Sequence, residues 1–137
     1  MGRGARQNET VVVRALCIGP EGTLLLRRAA GDRFGGQWEL PGGKRDPGER
    51  APAALKREVA EEAQVRFTAR PRRVGGLRRR RTPTGRRISE MVYEVPVTGT
   101  PQLSDEHDAV MWLRSGIAAP ENLTDAARDA LRDRHAS

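Results

Sequence analysis

GGKRDPGERAPAALKREVAEEAQV, residues 42–65, holds the densest chemistry in the chain. A Gly42-Gly43-Lys44 turn with Pro47-Gly48 behind it must leave extended structure. Pro52 falls where the first turn of a helix tolerates proline, so the stretch predicts a capped start and then one short helix. From Leu55 to Glu62 most residues are good helix formers. At about 100° per residue, Leu55 and Val59 lie close together, flanked by Ala51 and Ala63, and make an apolar stripe. Glu58 and Glu62 fall beside that stripe and Glu61 a little further round, while Lys56, Arg57 and Ala60 lie nearer the opposite side. The glutamates therefore crowd the edge of the buried face. Spaced as they are, they repel by roughly 0.2–0.5 kcal/mol per pair, and the dipole at the C-terminal half of a helix disfavours them further. A divalent cation offsets both costs, and a cluster of carboxylate oxygens suits magnesium or manganese.

The same stretch resembles the Nudix family. The family's box reads G-x5-E-x7-R-E-U-x-E-E-x-G-U, with U aliphatic; Gly43, Glu49, Arg57, Glu58, Val59, Glu61, Glu62 and Val65 stand in register with it. Trp38-Glu39-Leu40-Pro41-Gly42, just before the box, is similar to MutT-like members. A match at so many fixed positions is far more specific than a lone glycine motif. One position departs. Gln64 stands where the family has a glycine, and a side chain there costs about 1–2 kcal/mol if the chain turns through the left-handed conformation.

The resemblance implies an α/β fold, the Nudix-type α/β/α sandwich with a mixed β-sheet between helices. It also implies hydrolysis of a diphosphate linkage, nucleoside diphosphate-X giving a nucleoside monophosphate and P-X. Carried onto this sequence, Glu58, Glu61 and Glu62 become ligands of Mg2+ (or Mn2+), with the Gly42 carbonyl as a further ligand. Arg57 would orient and partly neutralise them, and Glu49 would be structural, near the helix start where a carboxylate suits the dipole. The general base is one of the helix glutamates or a more distant carboxylate; the sequence leaves that open. In MutT-like proteins a metal-binding glutamate lies in a loop six residues before a tryptophan, and Glu106 has that spacing from Trp112. Its plain alternative is a solvated loop acid. His107 beside it reads as an exposed loop histidine or, more sharply, a proton shuttle. Arg28, in Leu26-Arg27-Arg28-Ala29-Ala30, matches an arginine that contacts substrate phosphate, against a solvated strand-end residue. Asn122 is either a reader of the purine edge, as an asparagine is in MutT, or the cap of the last helix.

Composition bounds the rest. The length of 137 residues suits one domain, expected over residues 1–137 with 1–8 as a frayed tail. The sequence has no apolar run near the length of a membrane span and no apolar stretch of a signal peptide over residues 1–9, so the expected location is cytoplasmic. The single Cys17 lies in an apolar stretch and reads as a small core residue. The net charge of +7 is concentrated, because Arg70 to Arg87 holds nine arginines and no acid, leaving the remainder net acidic.

Strands are predicted over residues 10–18 and 23–27, as a hairpin through Gly19-Pro20-Glu21-Gly22, and a short one over 38–40. Residues 65–69 read as extended, and further strands as 74–81, 87–97 and 109–113. A terminal helix is expected over 123–134, from apolar residues at 123, 127 and 131 with Ala126 and Ala130 alongside. Alternation places Arg78 and Arg80 on one strand face and Arg79 and Arg81 on the other. One pair is expected to face a phosphate-binding cavity and bind substrate. The resulting reading is a magnesium-dependent hydrolase of a nucleoside triphosphate or other nucleoside diphosphate-X, in its sharpest form one that removes oxidised purine nucleotides. The rival is a non-catalytic Nudix-fold nucleotide sensor or a nucleic-acid-binding module using Arg70–Arg87. That rival is disfavoured, since an aromatic content of 4% offers few stacking platforms.

Overall fold

The computed structural model describes residues 10–82 and 84–136, so the tail expected over 1–8 lies outside the described residues. The hairpin forms as expected, β1 (Thr10–Gly19) turning through Pro20-Glu21 into β2 (Gly22–Arg28). These two strands pair only near the turn, at Ile18 with Thr23 and Gly19 with Gly22. Beyond it they part. β3 (Trp38–Glu39) then pairs with β2, and β4 (Gly42–Lys44) pairs with β1 at Val12 to Arg14. The segment between residues 38 and 44 thus bridges the opening between the two strands. β4 was not expected, because a three-residue strand with two glycines carries no periodic signal.

β1 runs parallel to β7 (Arg87–Thr98) along nearly its whole length, Thr10 beside Ile88 through Ile18 beside Pro96. β5 (Arg66–Phe67) and β6 (Arg72–Arg81) pair antiparallel with β7, and β8 (His107–Leu113) pairs with β2, giving a mixed sheet. Alternation along β1 and β7 divides the core in two. Val13, Ala15, Cys17, Tyr93 and Val95 pack with Ala54, Leu55 and Val59 of helix α1 (Ala51–Glu62). Leu16 and Val92 point the other way, against Ala127 and Ala130 of helix α2 (Asp125–Ala136). The sheet therefore lies between two helices, as the resemblance implied. Cys17 is buried in the first cluster, and burial pushes its thiol up to about 12, which leaves it inert at neutral pH.

Both helix starts differ from expectation. α1 begins after Arg50, whose side chain makes no capping hydrogen bond; Pro52 does lie in the first turn. At its other end Gln64 adopts φ 57° and donates its N–H to the Val59 carbonyl at 3.1 Å. It is the one non-glycine residue with positive φ among the described residues. The terminal helix starts at Asp125, two residues later than expected, because residues 122–124 are zipped to Trp38: its N–H donates to Asn122 O and its carbonyl accepts from Thr124 N–H. Thr124 Oγ1 accepts the Ala127 N–H at 3.2 Å, so the cap is Thr124 and the capping role considered for Asn122 does not hold.

Candidate active site

The turn into the box is built for close approach. A Cβ on Gly42, at φ 155°, would meet the Val13 carbonyl oxygen at 2.0 Å. A Cβ on Gly43 would meet the Glu58 carboxylate at 2.6 Å. Only glycine lets β4 pass between β1 and α1 with that carboxylate in place.

Arg57 holds the acids together. Its guanidinium donates to both oxygens of Glu49 at 3.0 Å, to the Lys44 carbonyl at 3.0 Å and to Glu58 at 2.9 Å, with Glu61 at 3.5 Å. The Arg57 hydrogen bonds, helped by the Asp46 N–H, hold the Glu49 carboxyl down to about 2. Glu49 is thus the tie between the loop and the helix. Glu62 is buried and accepts the Gly42 N–H at 2.7 Å; burial pushes its carboxyl up to about 8 despite that bond. Burial raises Glu58 as well, against the pull of Arg57. Glu61 is more exposed. Glu58, Glu61 and Glu62 share a cleft with Ser104, Asp105 and Glu106, so the loop acid does come to the helix glutamates.

His107 is not an exposed loop residue. It opens β8, is buried, and its Nε2 lies 2.8 Å from Glu39 Oε2. Donor atoms of Glu39, Glu62 and His107 all fall within 4.8 Å of one another. Burial alone would lower the His107 pKa, but the Glu39 bond and the charges of Glu62 and Glu39 outweigh it and raise it. Arg28 donates to Asp32 at 2.6 and 3.1 Å and to Glu39 at 3.0 Å. Glu39 was visible in the sequence only as part of the stretch before the box, and its pairing partners lie 11 and 68 residues away.

These acids open onto a cavity of about 890 Å³ lined by Arg28, Glu39, Gly42, Gly43, Glu58, Glu62 and Glu106 together with Arg14, Arg80, Arg81, Glu90 and Leu123–Ala126. Its volume falls in the range typical of small-ligand sites. The strand faces alternate as expected, but the cavity takes one arginine from each pair. Arg80 and Arg81 line it, whereas Arg78 donates to Asp129 and Asp133 of α2 and Arg79 is exposed away from it. Asn122 donates to the Gly36 carbonyl and is not part of the lining, although its neighbours Leu123 and Thr124 are.

Acids and arginines opening onto one cavity, on a mixed sheet between two helices, are the layout of a hydrolase of phosphoric anhydrides. Residues 8–133 match the NUDIX domain family, and the chain belongs to that family as a MutT-like Nudix hydrolase. It is 36% identical over 109 residues to a putative 8-oxo-dGTP diphosphatase 2 of Mycobacterium tuberculosis, covering 77% of this chain and 73% of the relative. A 44-residue stretch is 52% identical to the nucleoside triphosphatase NudI of Escherichia coli, covering 31% of each. Among solved structures, the MutT Nudix hydrolase of Burkholderia pseudomallei superposes with a TM-score of 0.80 at 28% identity, over 92% of this chain and 98% of that one. The Escherichia coli ORF135 protein follows at a TM-score of 0.78 and 30% identity, over 96% and 92%.

Proposed function

We propose that this chain is a magnesium-dependent pyrophosphohydrolase of nucleoside triphosphates, with oxidised purine nucleotides among its substrates. One observation carries the reading: the carboxylates of Glu58, Glu62 and Glu106 open into the same cavity as Arg28, Arg80 and Arg81. Nudix hydrolases generally use a divalent metal, and the donors here fit one. They are hard oxygens, those of buried Glu62 and half-buried Glu58 on carboxyls that burial has raised, with Arg57 shared among four acids. Glu58, Glu61, Glu62 and Glu106 would hold the ion, with the Gly42 carbonyl as a further oxygen. Magnesium bound there would neutralise phosphate oxygens and lower the pKa of a bound water. Manganese suits the same donors.

The chain's own residues supply the remainder. Arg28, fixed by Asp32 and Glu39, presents charge to the cavity, as do Arg80 and Arg81. Arg57 fixes Glu58 and Glu61 relative to the box loop. The names of the relatives, an 8-oxo-dGTP diphosphatase and a nucleoside triphosphatase, support the substrate class. The test is a panel of canonical and 8-oxo nucleoside triphosphates assayed for released pyrophosphate, with magnesium and with chelator. Metal-dependent release of pyrophosphate and a nucleoside monophosphate supports the proposal. Hydrolysis that persists in chelator, or none across the panel, contradicts it.

A further inference from the structure

Three strands bring three polar side chains together on the α1 face of the sheet. Along β2, Leu24 and Leu26 belong to the core under α1, and alternation puts Arg28 on the same face. Glu39 on β3 stands across from Leu26, and His107 on β8 stands across from Arg28. The second pairing is irregular. Val110 faces Leu26 and Ala109 faces Arg27, so a regular ladder would set Asp108 opposite Arg28. The register shifts between Arg27 and Arg28 and passes over Asp108, which meets Arg27 at 2.8 Å. A bulge re-aims the side chains beside it. This one puts a histidine, and not a second acid, beside Glu39. Glu39 is buried, and its Oε2 alone accepts from Arg28 Nη1 at 3.0 Å and lies 2.8 Å from His107 Nε2. Burial would raise the Glu39 carboxyl, but the His107 bond and the charges of Arg14 and Arg28 outweigh it and hold it below its ordinary value. An ionised carboxylate only accepts, so His107 Nε2 is the donor. Asp32 takes Nε and Nη2 of the same guanidinium, which leaves one N–H on each terminal nitrogen of Arg28 for a ligand. Arg28, Glu39 and Glu106 all line the cavity.

We propose that Glu39 is a positioning residue of this site: through one oxygen it ties Arg28 to His107, and so holds the arginine and the adjoining loop acid Glu106 in one frame. This rests on the nucleotide reading above. A phosphate-binding arginine and an ion held by the acids must meet neighbouring oxygens of the same anhydride, so their separation has to be kept to within about 0.5 Å. Neither side chain keeps it alone. Arg28 ends a strand on a long, rotatable stem, and Glu106 lies in the turn before β8. Glu39 is the fixed point between them. β3 is paired with β2, and Trp38 beside it is bonded through its backbone to Asn122 and Thr124. On the far side of the bulge the Ala29 N–H donates to the Glu106 carbonyl at 2.9 Å, which ties the loop to the residue after Arg28. Bonds to an ionised carboxylate are roughly twice as strong as neutral ones, so a carboxamide at this place would hold both donors less firmly. A misplacement of about 1 Å at such a site can cost roughly a hundredfold in rate.

Glu39→Gln keeps the shape of the side chain and removes the charge that holds both donors. The test is a double-mutant cycle on the full chain, titrated calorimetrically with inorganic pyrophosphate in magnesium: wild type, Glu39→Gln, Arg28→Ala and the two combined. Glu39→Gln alone should weaken pyrophosphate about tenfold or more; with Arg28 already removed it should change the affinity less than about twofold, because the group it positions has gone. His107→Gln, which still offers Glu39 a donor, should retain most of the binding that His107→Leu loses. Equal weakening by Glu39→Gln with and without Arg28 overturns the proposal, since Glu39 would then support the fold alone. An affinity unchanged in Glu39→Gln overturns it as well, and so does a wild type that binds no pyrophosphate in magnesium. Binding needs no turnover, so coupling between Glu39 and Arg28 in a chain that hydrolyses no nucleotide would contradict the proposed function and leave the positioning role standing.

Discussion

The molecule contains two crowds of like charge, and it treats them oppositely. Two arginines of β6 are matched in space by acids far away in sequence. Arg78 donates to Asp133 at 2.5 Å and to Asp129 at 3.3 Å, and Arg80 donates to Asp129 at 2.9 Å. The segment looked acid-free because the acids that meet it lie on α2 and β7. The glutamates of α1 receive less relief. Arg57 is the guanidinium that reaches Glu58 and Glu61, and both oxygens of Glu49 already occupy it. Glu62 is buried against a backbone N–H, with its carboxyl raised to about 8. A like-charge cluster whose partners are supplied by the fold acts as structure. One left short of partners is prepared for a ligand. The contrast also weakens the nucleic-acid reading of Arg70–Arg87, because a broad phosphate contact would compete with α2 for Arg78 and Arg80.

The largest test removes the unmatched charge. Glu62→Gln or Glu58→Gln should lower turnover at least roughly a hundredfold while the fold survives. For Glu62→Gln the metal-free melting temperature near neutral pH should rise, since the amide is neutral without taking up a proton that the unfolded chain has released. A variant that keeps wild-type turnover would place the metal elsewhere.

Next is the pH profile in chelator. The Glu62 carboxyl lies at about 8 in the folded chain, above its ordinary 4.5, so the native state holds a proton that the unfolded chain has released. That contribution to stability is complete below about pH 4.5 and is lost as pH rises through 8. Melting temperature without metal should therefore fall between pH 5 and 9 for the wild type, and more shallowly for Glu62→Gln. Parallel curves would show that Glu62 is not held protonated.

The matched cluster should respond in stability and not in chemistry. Arg78→Ala is expected to cost about 1 kcal/mol, for a partly exposed guanidinium that bridges two carboxylates, with kcat/KM nearly unchanged. Arg79→Ala should do neither. Arg80→Ala, which touches both the α2 acids and the cavity, should raise KM as well. Denaturant melts and steady-state kinetics on the three variants separate these roles. The smallest effect lies at the end of α1, where Gln64→Gly should stabilise the fold by roughly 1 kcal/mol by relieving φ 57° and leave activity alone.

Much of the fold was legible because its signals are local. The hairpin turn, the helix-forming run through Glu62 and the β-branched strands each follow from neighbouring residues. The box glutamates were legible for the same reason, since one helix carries all three. What could not be read depends on pairs distant in sequence. β4 exists because β1 and β2 part. Thr124 became the cap because Trp38 holds residues 122–124 extended. His107 is buried because Glu39, 68 residues away, lies across from it. Glu90 sits in an ordinary-looking strand, and nothing near it in sequence announces that Arg14 and Arg80 meet it below α2.

The central claim, that the unmatched edge of α1 is a divalent-cation site, is tested most directly by manganese binding followed by electron paramagnetic resonance. Wild-type protein titrated with Mn2+ should remove free ion from the spectrum and return it when magnesium is added in excess, whereas Glu58→Gln and Glu62→Gln should bind far more weakly. Mn2+ binding of equal strength in all three proteins would contradict the account.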